Sequence, residues 1–391
     1  MKKILSIICI GGLLTLCGCQ SSSVDPPYEA NPTPTIPAGV DALAVDMFRR
    51  VVAQEEGNVV FSPASAEAVL LMLREGAAGQ TRKELDALPY GKQGVPSAMR
   101  VESANALFAD DSLTLKPGST PVERVPFAGN PAKAVDRVNA WCSEKTHGKI
   151  SSILSARELS ENTRLIATNA VYLKEKWLRP FMPSSTSPQN FHLSNGSTVR
   201  VPMMHKKANL LYAKGDDWQA VALFYRTDGR AGEPGCFIGI LPKGDARAFA
   251  ATLTPQKFNA IRTALAQSGF DTTEVYLPRF EISPPAISLA AALQALGVKA
   301  AFSPGAADLS NLAQSPDGTP LYLSAVVQKC YVKADEQGTE AAAVTGMAVA
   351  IQSAPIIKEP RIIRFDRPFI WIIGDLSTAA PPYFMGLMEN P

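Results

Sequence analysis

Along the first part of the chain, apolar side chains recur at the spacing of one helix face. Leu43, Met47, Phe48, Val51 and Val52 repeat at three- and four-residue intervals with Gly57 behind them as a stop, which predicts a first helix. Ser62-Pro63 joins a capping residue to the residue best tolerated in a first turn. It opens a second helix that carries Val69, Leu70 and Leu73 as far as Gly76. Thr81-Arg82-Lys83-Glu84 has the form of a capping box for a short third helix. Asn130-Pro131 predicts another, with Val135, Val138 and Trp141 inward and Gly148 as its end. Thr254-Pro255 opens one with Phe258, Ile261 and Leu265, and Ala290 to Leu296 before Gly297 forms a later one.

Strand-like runs lie between and after these helices. They are Leu165 to Leu173, Phe237 to Leu241, Val275 to Ile282, Leu321 to Ala334, Ile362 to Phe365, Phe369 to Ile373 and Tyr383 to Met388. Helices cluster early and long strands dominate later, which favours an α+β architecture over a regular βαβ repeat. The length of the run from Leu321 to Ala334 calls for a large sheet. No internal repeat and no second linker interrupts the chain after residue 37, so 38–391 reads as one domain.

The start of the chain follows a different pattern. Lys2 and Lys3 precede an apolar stretch from Ile4 to Leu16, short for a bilayer span and flanked like a secretion signal. Leu16-Cys17-Gly18-Cys19 resembles a bacterial lipobox, which implies a signal peptide over 1–18 and lipidation at Cys19, with ordinary signal cleavage nearby as the other reading. Residues 19–37 are rich in Ser and Pro and read as an extended tether. The expected location is a lipid anchor at a bacterial outer membrane, on its surface or periplasmic face. Gln20 after Cys19 argues against retention at the inner membrane.

Composition narrows the chemistry. Apolar residues make up 46% of the chain and charged ones 19%, with a formal charge of +2, so the body suits one large core and offers nucleic acid no basic stripe. Beyond the signal and Cys19, the cysteines are Cys142, Cys236 and Cys330, with neither disulfide nor zinc spacing, and they are expected to be small buried residues. The chain contains no G-x-S-x-G, H-E-x-x-H or P-loop, and no G-x-G-x-x-G in strand-and-helix context. No enzyme activity, cofactor or metal site is therefore expected.

Ordered short motifs supply a positive reading. They begin with Asn58 to Ser65 (NVVFSPAS), Gly76 to Thr81 (GAAGQT), Asn105 to Phe108 (NALF) and Val138 to Trp141 with Thr146 to Ile150. Thr168 to Leu173, Lys176-Trp177, Pro180-Phe181 and Val201 to Met204 (VPMM) follow. Near the C-terminus come Asp335 to Ala343 (DEQGTEAAA), Arg364 to Phe369 (RFDRPF) and Phe384 to Gly386. Taken in order across the body, they resemble the serpin family. That resemblance implies three β-sheets with about eight helices and an exposed reactive-centre loop at about 338–360. It implies a monomer that inhibits serine or cysteine endopeptidases as a suicide substrate: the loop is cut, enters the main sheet and carries the acyl-enzyme with it. It also assigns a hinge (Glu336, Gly338, Thr339, Glu340, Ala341, Ala342, Ala343) and a sheet-opening cluster (Ser62, Ser65, Asn169, with Gln328 where the family usually has histidine). Trp177, Arg279 and Glu336 fall at the sheet top, the last two as an ion pair.

The loop's own residues suit insertion. Thr339, Ala341, Ala343, Thr345, Met347, Val349 and Ile351 would share one strand face, and all are uncharged. Glu340 begins the other face, and no proline occurs between Gly338 and Ala354. Family spacing from Gly338 places the cut at Gln352-Ser353, with Ile351 and Ala350 as neighbouring candidates; counting back from Pro368 with a shorter loop would give Ile357. The stretch before Lys358 is small and aliphatic, which points to an elastase-like or papain-like target and away from trypsin-like enzymes. The short segment between Leu85 and Asn105 lacks a basic stripe, so no heparin dependence is expected. A non-inhibitory carrier or binding protein on the same fold is the competing reading.

Overall fold

A computed structural model of the protein describes residues 41–92, 97–117, 122–339, 360–376 and 380–391. The chain opens with helix α1 (Ala42–Gln54), strand β1 (Val59–Phe61) and helices α2 (Pro63–Gly76) and α3 (Gly79–Asp86). Strands β2 (Val101–Asp110), β3 (Thr114–Leu115) and β4 (Val122–Val125) lead to helix α4 (Pro131–Lys145). Six strands follow: β5 (Leu165–Leu173), β6 (Glu175–Lys176), β7 (Ser187–His192), β8 (Thr198–Lys214), β9 (Trp218–Phe224) and β10 (Gly235–Pro242). Helices α5 (Ala246–Ala251) and α6 (Pro255–Gln267) precede β11 (Phe270–Pro278), β12 (Phe280–Ile282) and β13 (Ile287–Ser288). Next are α7 (Ala290–Ala295), β14 (Ala313–Gln314), β15 (Ala325–Ala334) and β16 (Gly338–Thr339). Strands β17 (Arg361–Arg364), β18 (Phe369–Asp375) and β19 (Phe384–Met388) complete the described chain.

The architecture is α+β, with seven α-helices and three sheets among the described residues. One sheet runs β1-β19-β18-β10-β9-β8-β11-β17, with β7 on β8. A second runs β4-β2-β5-β15-β16-β6, with β12 and β13 on β15, and β14 pairs β3 as the third. At the centre of the second sheet, β5 and β15 pair in parallel. Strands of a parallel pair are covered on both faces and read as continuous apolar runs, and all nine residues of β5 are buried. On one face Ile166, Tyr172, Val327 and Tyr331 meet Val138, Trp141 and Cys142 of α4. On the other, Val171, Leu173, Cys330 and Val332 meet Phe237, Trp371 and Phe384 of the first sheet. Cys142, Cys236 and Cys330 are all buried and free.

Helix starts at Asn130 and Thr254 are as the sequence predicts: each side chain accepts from the backbone N–H three residues on, at Lys133 and Lys257. Three local expectations are corrected. The Thr81–Glu84 box does not cap, because α3 begins at Gly79. Thr81 Oγ1 instead accepts from Asp308 N at 2.9 Å, and Glu84 Oε2 accepts from Lys299 and Ala300 N at 2.7 Å each. The box atoms bind a neighbouring segment. The run Leu321 to Ala334 is a strand only from Ala325; Leu321 and Leu323 are core side chains on a loop. The run Val275 to Ile282 divides at Arg279: its N–H extends the β11–β8 ladder to the Pro202 carbonyl, and the residues after it pair with β15 of the second sheet. Strands β8 and β9 lie outside the predicted runs. The polar stretch His205-Lys206-Lys207-Ala208-Asn209 in β8 masks its alternation.

Candidate functional site

The predicted site residues gather at two places on the second sheet: the middle of the β5–β15 ladder, and the end where those strands finish. In the middle, Gln328 pairs with Asn169, and Asn169 pairs with Asn105 of β2 on its other side. Three amide side chains thus sit abreast on three strands, beneath the start of α2. Gln328 uses both ends of its amide. Its Oε1 accepts from Ser62 N at 2.7 Å, while its Nε2 donates to Ser62 O at 3.0 Å and to Asn169 Oδ1 at 2.6 Å. Asn169 Nδ2 donates to Ser65 Oγ and Asn105 Oδ1. Ser65 donates to Asn105 Oδ1 at 3.0 Å and meets Ser103 Oγ at 2.6 Å. The structure therefore brings Ser62, Ser65, Asn169 and Gln328 together. Ser62 takes part through its main chain, and its buried hydroxyl has no hydrogen-bond partner among the described residues.

At the end of the ladder the chain turns back on itself. Asp335 Oδ1 accepts from Gln337 N at 2.9 Å and Gly338 N at 3.3 Å, and Asp335 N donates to Gly338 O at 2.9 Å. Two residues then enter the sheet. Thr339 pairs antiparallel with Ala334 of β15 and with Glu175 of β6, and Gly338 pairs with Lys176. Thr339 is fully buried, and its hydroxyl meets Tyr225 Oη at 2.8 Å. A Cβ on Gly338 would stand 2.1 Å from the Glu175 carbonyl oxygen, so this close approach admits only glycine. Trp177 lies underneath, stacked on Tyr225 with centroids 4.7 Å apart, and donates through Nε1 to Asp335 O at 2.8 Å. Arg279 donates to Glu336, which also accepts from Thr186 Oγ1 at 2.6 Å. Burial opposes ionisation of Glu336, but the hydrogen bonds from Arg279 and Thr186 outweigh it and hold the pKa below the usual carboxylate value.

The start of the hinge is thus a two-residue strand seated between the ten-residue β15 and the two-residue β6, beyond a polar seam. The family model described as serpin (serine protease inhibitor) matches residues 38–391. The chain belongs to the serpin family. An uncharacterized serpin-like protein from Thermococcus kodakarensis is 33% identical over 394 residues, 93% of this chain and 87% of that one. A serine protease inhibitor from Rattus norvegicus is 30% identical over 380 residues, 89% of this chain and 87% of the other. Among solved structures, the thermophilic serpin tengpin in its native state superposes with a TM-score of 0.77 at 24% identity, covering 90% of this chain and 94% of its own. Serpins are generally protease inhibitors and not catalysts.

Within this serpin, Glu336, Gly338 and Thr339 of the hinge are described and lie together with Trp177 and Arg279. Glu340, Ala341, Ala342, Ala343, Ala350, Ile351, Gln352 and Ser353 lie outside the described residues, as do Cys19 and the signal and tether segments. The sequence reading missed Asn105 and Ser103 in the seam and Tyr225, Glu175 and Arg230 around the hinge. Asn105 and Ser103 are two apart on one strand face, a period-2 signal that was legible. Tyr225 and Arg230 sit on a loop far away in sequence, and only the fold brings them close.

Proposed function

We propose that this serpin is a suicide-substrate inhibitor of serine or cysteine endopeptidases, with an elastase-like or papain-like target. The peptidase's serine hydroxyl or cysteine thiol attacks the Gln352 carbonyl. The Gln352–Ser353 bond breaks, Ser353 leaves as a protonated amine, and Gln352 stays bound to the enzyme as an ester or thioester. Entry of residues 339–352 into the sheet would then carry the acyl-enzyme away from the cut. The strand spans 14 residues, roughly 46 Å at about 3.3 Å each.

The observation that carries this reading is a register. Thr339 sits between Ala334 and Glu175, which differ by 159 in number (334 less 175). The β15–β5 ladder has the same offset at every pair, from Ala325 and Ile166 to Tyr331 and Tyr172 (325 less 166, 331 less 172). A strand continuing from Thr339 would therefore separate β5 from β15 without a slip on either side. Each following residue would meet a defined pair. Glu340 would fall between Lys333 and Lys174, and Ala342 between Tyr331 and Tyr172. Thr345 would arrive between Gln328 and Asn169, whose mutual hydrogen bond it would replace, and Met347 between Val326 and Ala167. Charge meets opposite charge, small meets large, and polar meets polar. A charged residue or a proline at any odd position would break this match, and none is present from 339 to 351.

We further propose that the protein is exported, anchored through a lipid on Cys19, monomeric and independent of heparin. Incubation with an elastase-like, a papain-like and a trypsin-like peptidase, followed by denaturing gels and mass spectrometry of the released loop fragment, tests the function. The expected result is a denaturant-stable complex with one of the first two and a cut within two residues of Gln352. Rapid cleavage without complex by every peptidase would leave the non-inhibitory carrier reading in its place.

A further inference from the structure

The hinge's two pairing partners are held in different ways. Ala334 belongs to a ten-residue strand, whereas Glu175 belongs to β6, which is two residues long. What fixes β6 comes from outside the sheet, on the loop between β9 and β10. That loop runs beside β6: Leu178 N donates to Phe224 O and Arg226 N to Lys176 O, both at 2.8 Å. It carries Tyr225, whose hydroxyl meets the hinge side chain at Thr339. It also carries Arg230, whose Nη2 reaches both carboxylate oxygens of Glu175, at 3.0 and 2.7 Å. The Glu175 side chain is only 3% exposed. Its other donor is the backbone N–H of Arg100. Arg230 is held in turn, donating to Ala98 O and to Arg226 O. The loop presses on the approach to β2, where Ala98 N donates to Glu233 O at 3.0 Å.

We propose that Arg230 is a positioning residue for loop insertion: by holding the Glu175 carboxylate it keeps β6 where Gly338 and Thr339 can seat, so that insertion begins in the register of the β5–β15 ladder. Without Arg230 a buried carboxylate would face one backbone N–H. It would turn toward water or take up a proton, and either change loosens the backbone against which Gly338 packs. A loosened seat leaves the cut loop to start insertion late or out of register, while the acyl-enzyme hydrolyses. The defect would therefore appear in the outcome after cleavage and not in the rate of cleavage.

This inference rests on the inhibitory reading, and its test separates the two. Arg230→Ala, Arg230→Lys and Tyr225→Phe are compared with the unaltered protein by hydrogen–deuterium exchange of the peptide containing Gly338 and Thr339. The number of inhibitor molecules consumed per peptidase trapped is measured alongside. Arg230→Ala is expected to speed hinge exchange at least tenfold and to raise consumption severalfold, with the initial cleavage rate unchanged. Arg230→Lys should recover most of both, and Tyr225→Phe, which keeps the ring stacked on Trp177, should show a smaller shift in the same direction. Exchange and consumption within twofold of the unaltered protein in Arg230→Ala would overturn the proposal, whatever Tyr225→Phe does. If the unaltered protein traps no peptidase, the inhibitory reading fails and this inference, which rests on it, is overturned with it.

Discussion

The two halves of the β5–β15 seam differ in kind. At its end the ladder has already admitted two residues of the hinge, with Thr339 paired on both sides and buried. From Tyr331 back to Ala325 it is shut, and Gln328 stitches it to Asn169 and to Ser62 at the start of α2. The contrast teaches where a barrier to insertion would lie. Threading does not have to begin, because it has begun; what remains is to separate an apolar ladder closed by one polar knot. Buried polar groups that are fully satisfied specify a single arrangement, and they are costly to leave half satisfied.

The strongest way to break the contrast is to spoil the incoming strand while leaving both halves intact. Thr345→Arg would bring an unpaired charge to Gln328 and Asn169. It is expected to abolish the denaturant-stable complex and turn the protein into a substrate, with unchanged melting of the intact form; gel assays and a melting curve read both. Next in size is the knot itself. Gln328→Ala leaves Ser62 N and Asn169 Oδ1 without the Gln328 amide, and should lower the stability of the intact protein by about 2–4 kcal/mol in urea unfolding. It should also hasten spontaneous insertion.

Smaller effects belong to the hinge end. Glu336 has a pKa below its ordinary value, so its pairing stabilises the fold above the unfolded-state pKa, and that contribution is lost as pH falls through the folded value. Arg279 is 45% exposed, so solvent screening limits the effect to under about 1 kcal/mol. Arg279→Ala should therefore lower stability by under about 1 kcal/mol at pH 7, where the pairing is fully present, and the two proteins should converge as pH falls well below about 4.5. The knot should add no such slope, since its hydrogen-bonding side chains are amides and hydroxyls. Glu340→Lys would set three cations together if Lys333 and Lys174 flank it, and should slow the first step of insertion severalfold without preventing it.

Much of this was legible in the chain. The run Leu165 to Leu173, apolar but for Thr168 and Asn169, shows a strand covered on both faces, and caps at Asn130 and Thr254 mark helix starts correctly because, among the described residues, their side-chain oxygens bind only the helix they open. Thr81 and Glu84 mislead for the opposite reason: a neighbouring segment claims the atoms that would have capped. The seam residues Ser62, Ser65, Asn169 and Gln328 were visible through family resemblance. The spacing of Ser103 and Asn105 shows that they share a strand face, but only the register of β2 on β5 sets Asn105 beside Asn169. Arg230 and Tyr225 were invisible, because a loop 50 or more residues from Glu175 carries no local sign of the strand it holds.

The central claim is that the intact chain is kinetically held above a lower free energy that strand insertion would reach. Thermal unfolding of the intact protein and of protein cut once between Ala350 and Ser353 tests it directly. The cut form is expected to melt more than about 10 °C higher, and its new end should resist further proteolysis. A cut form that melts at or below the intact one, with residues 340–352 still open to digestion, would contradict it.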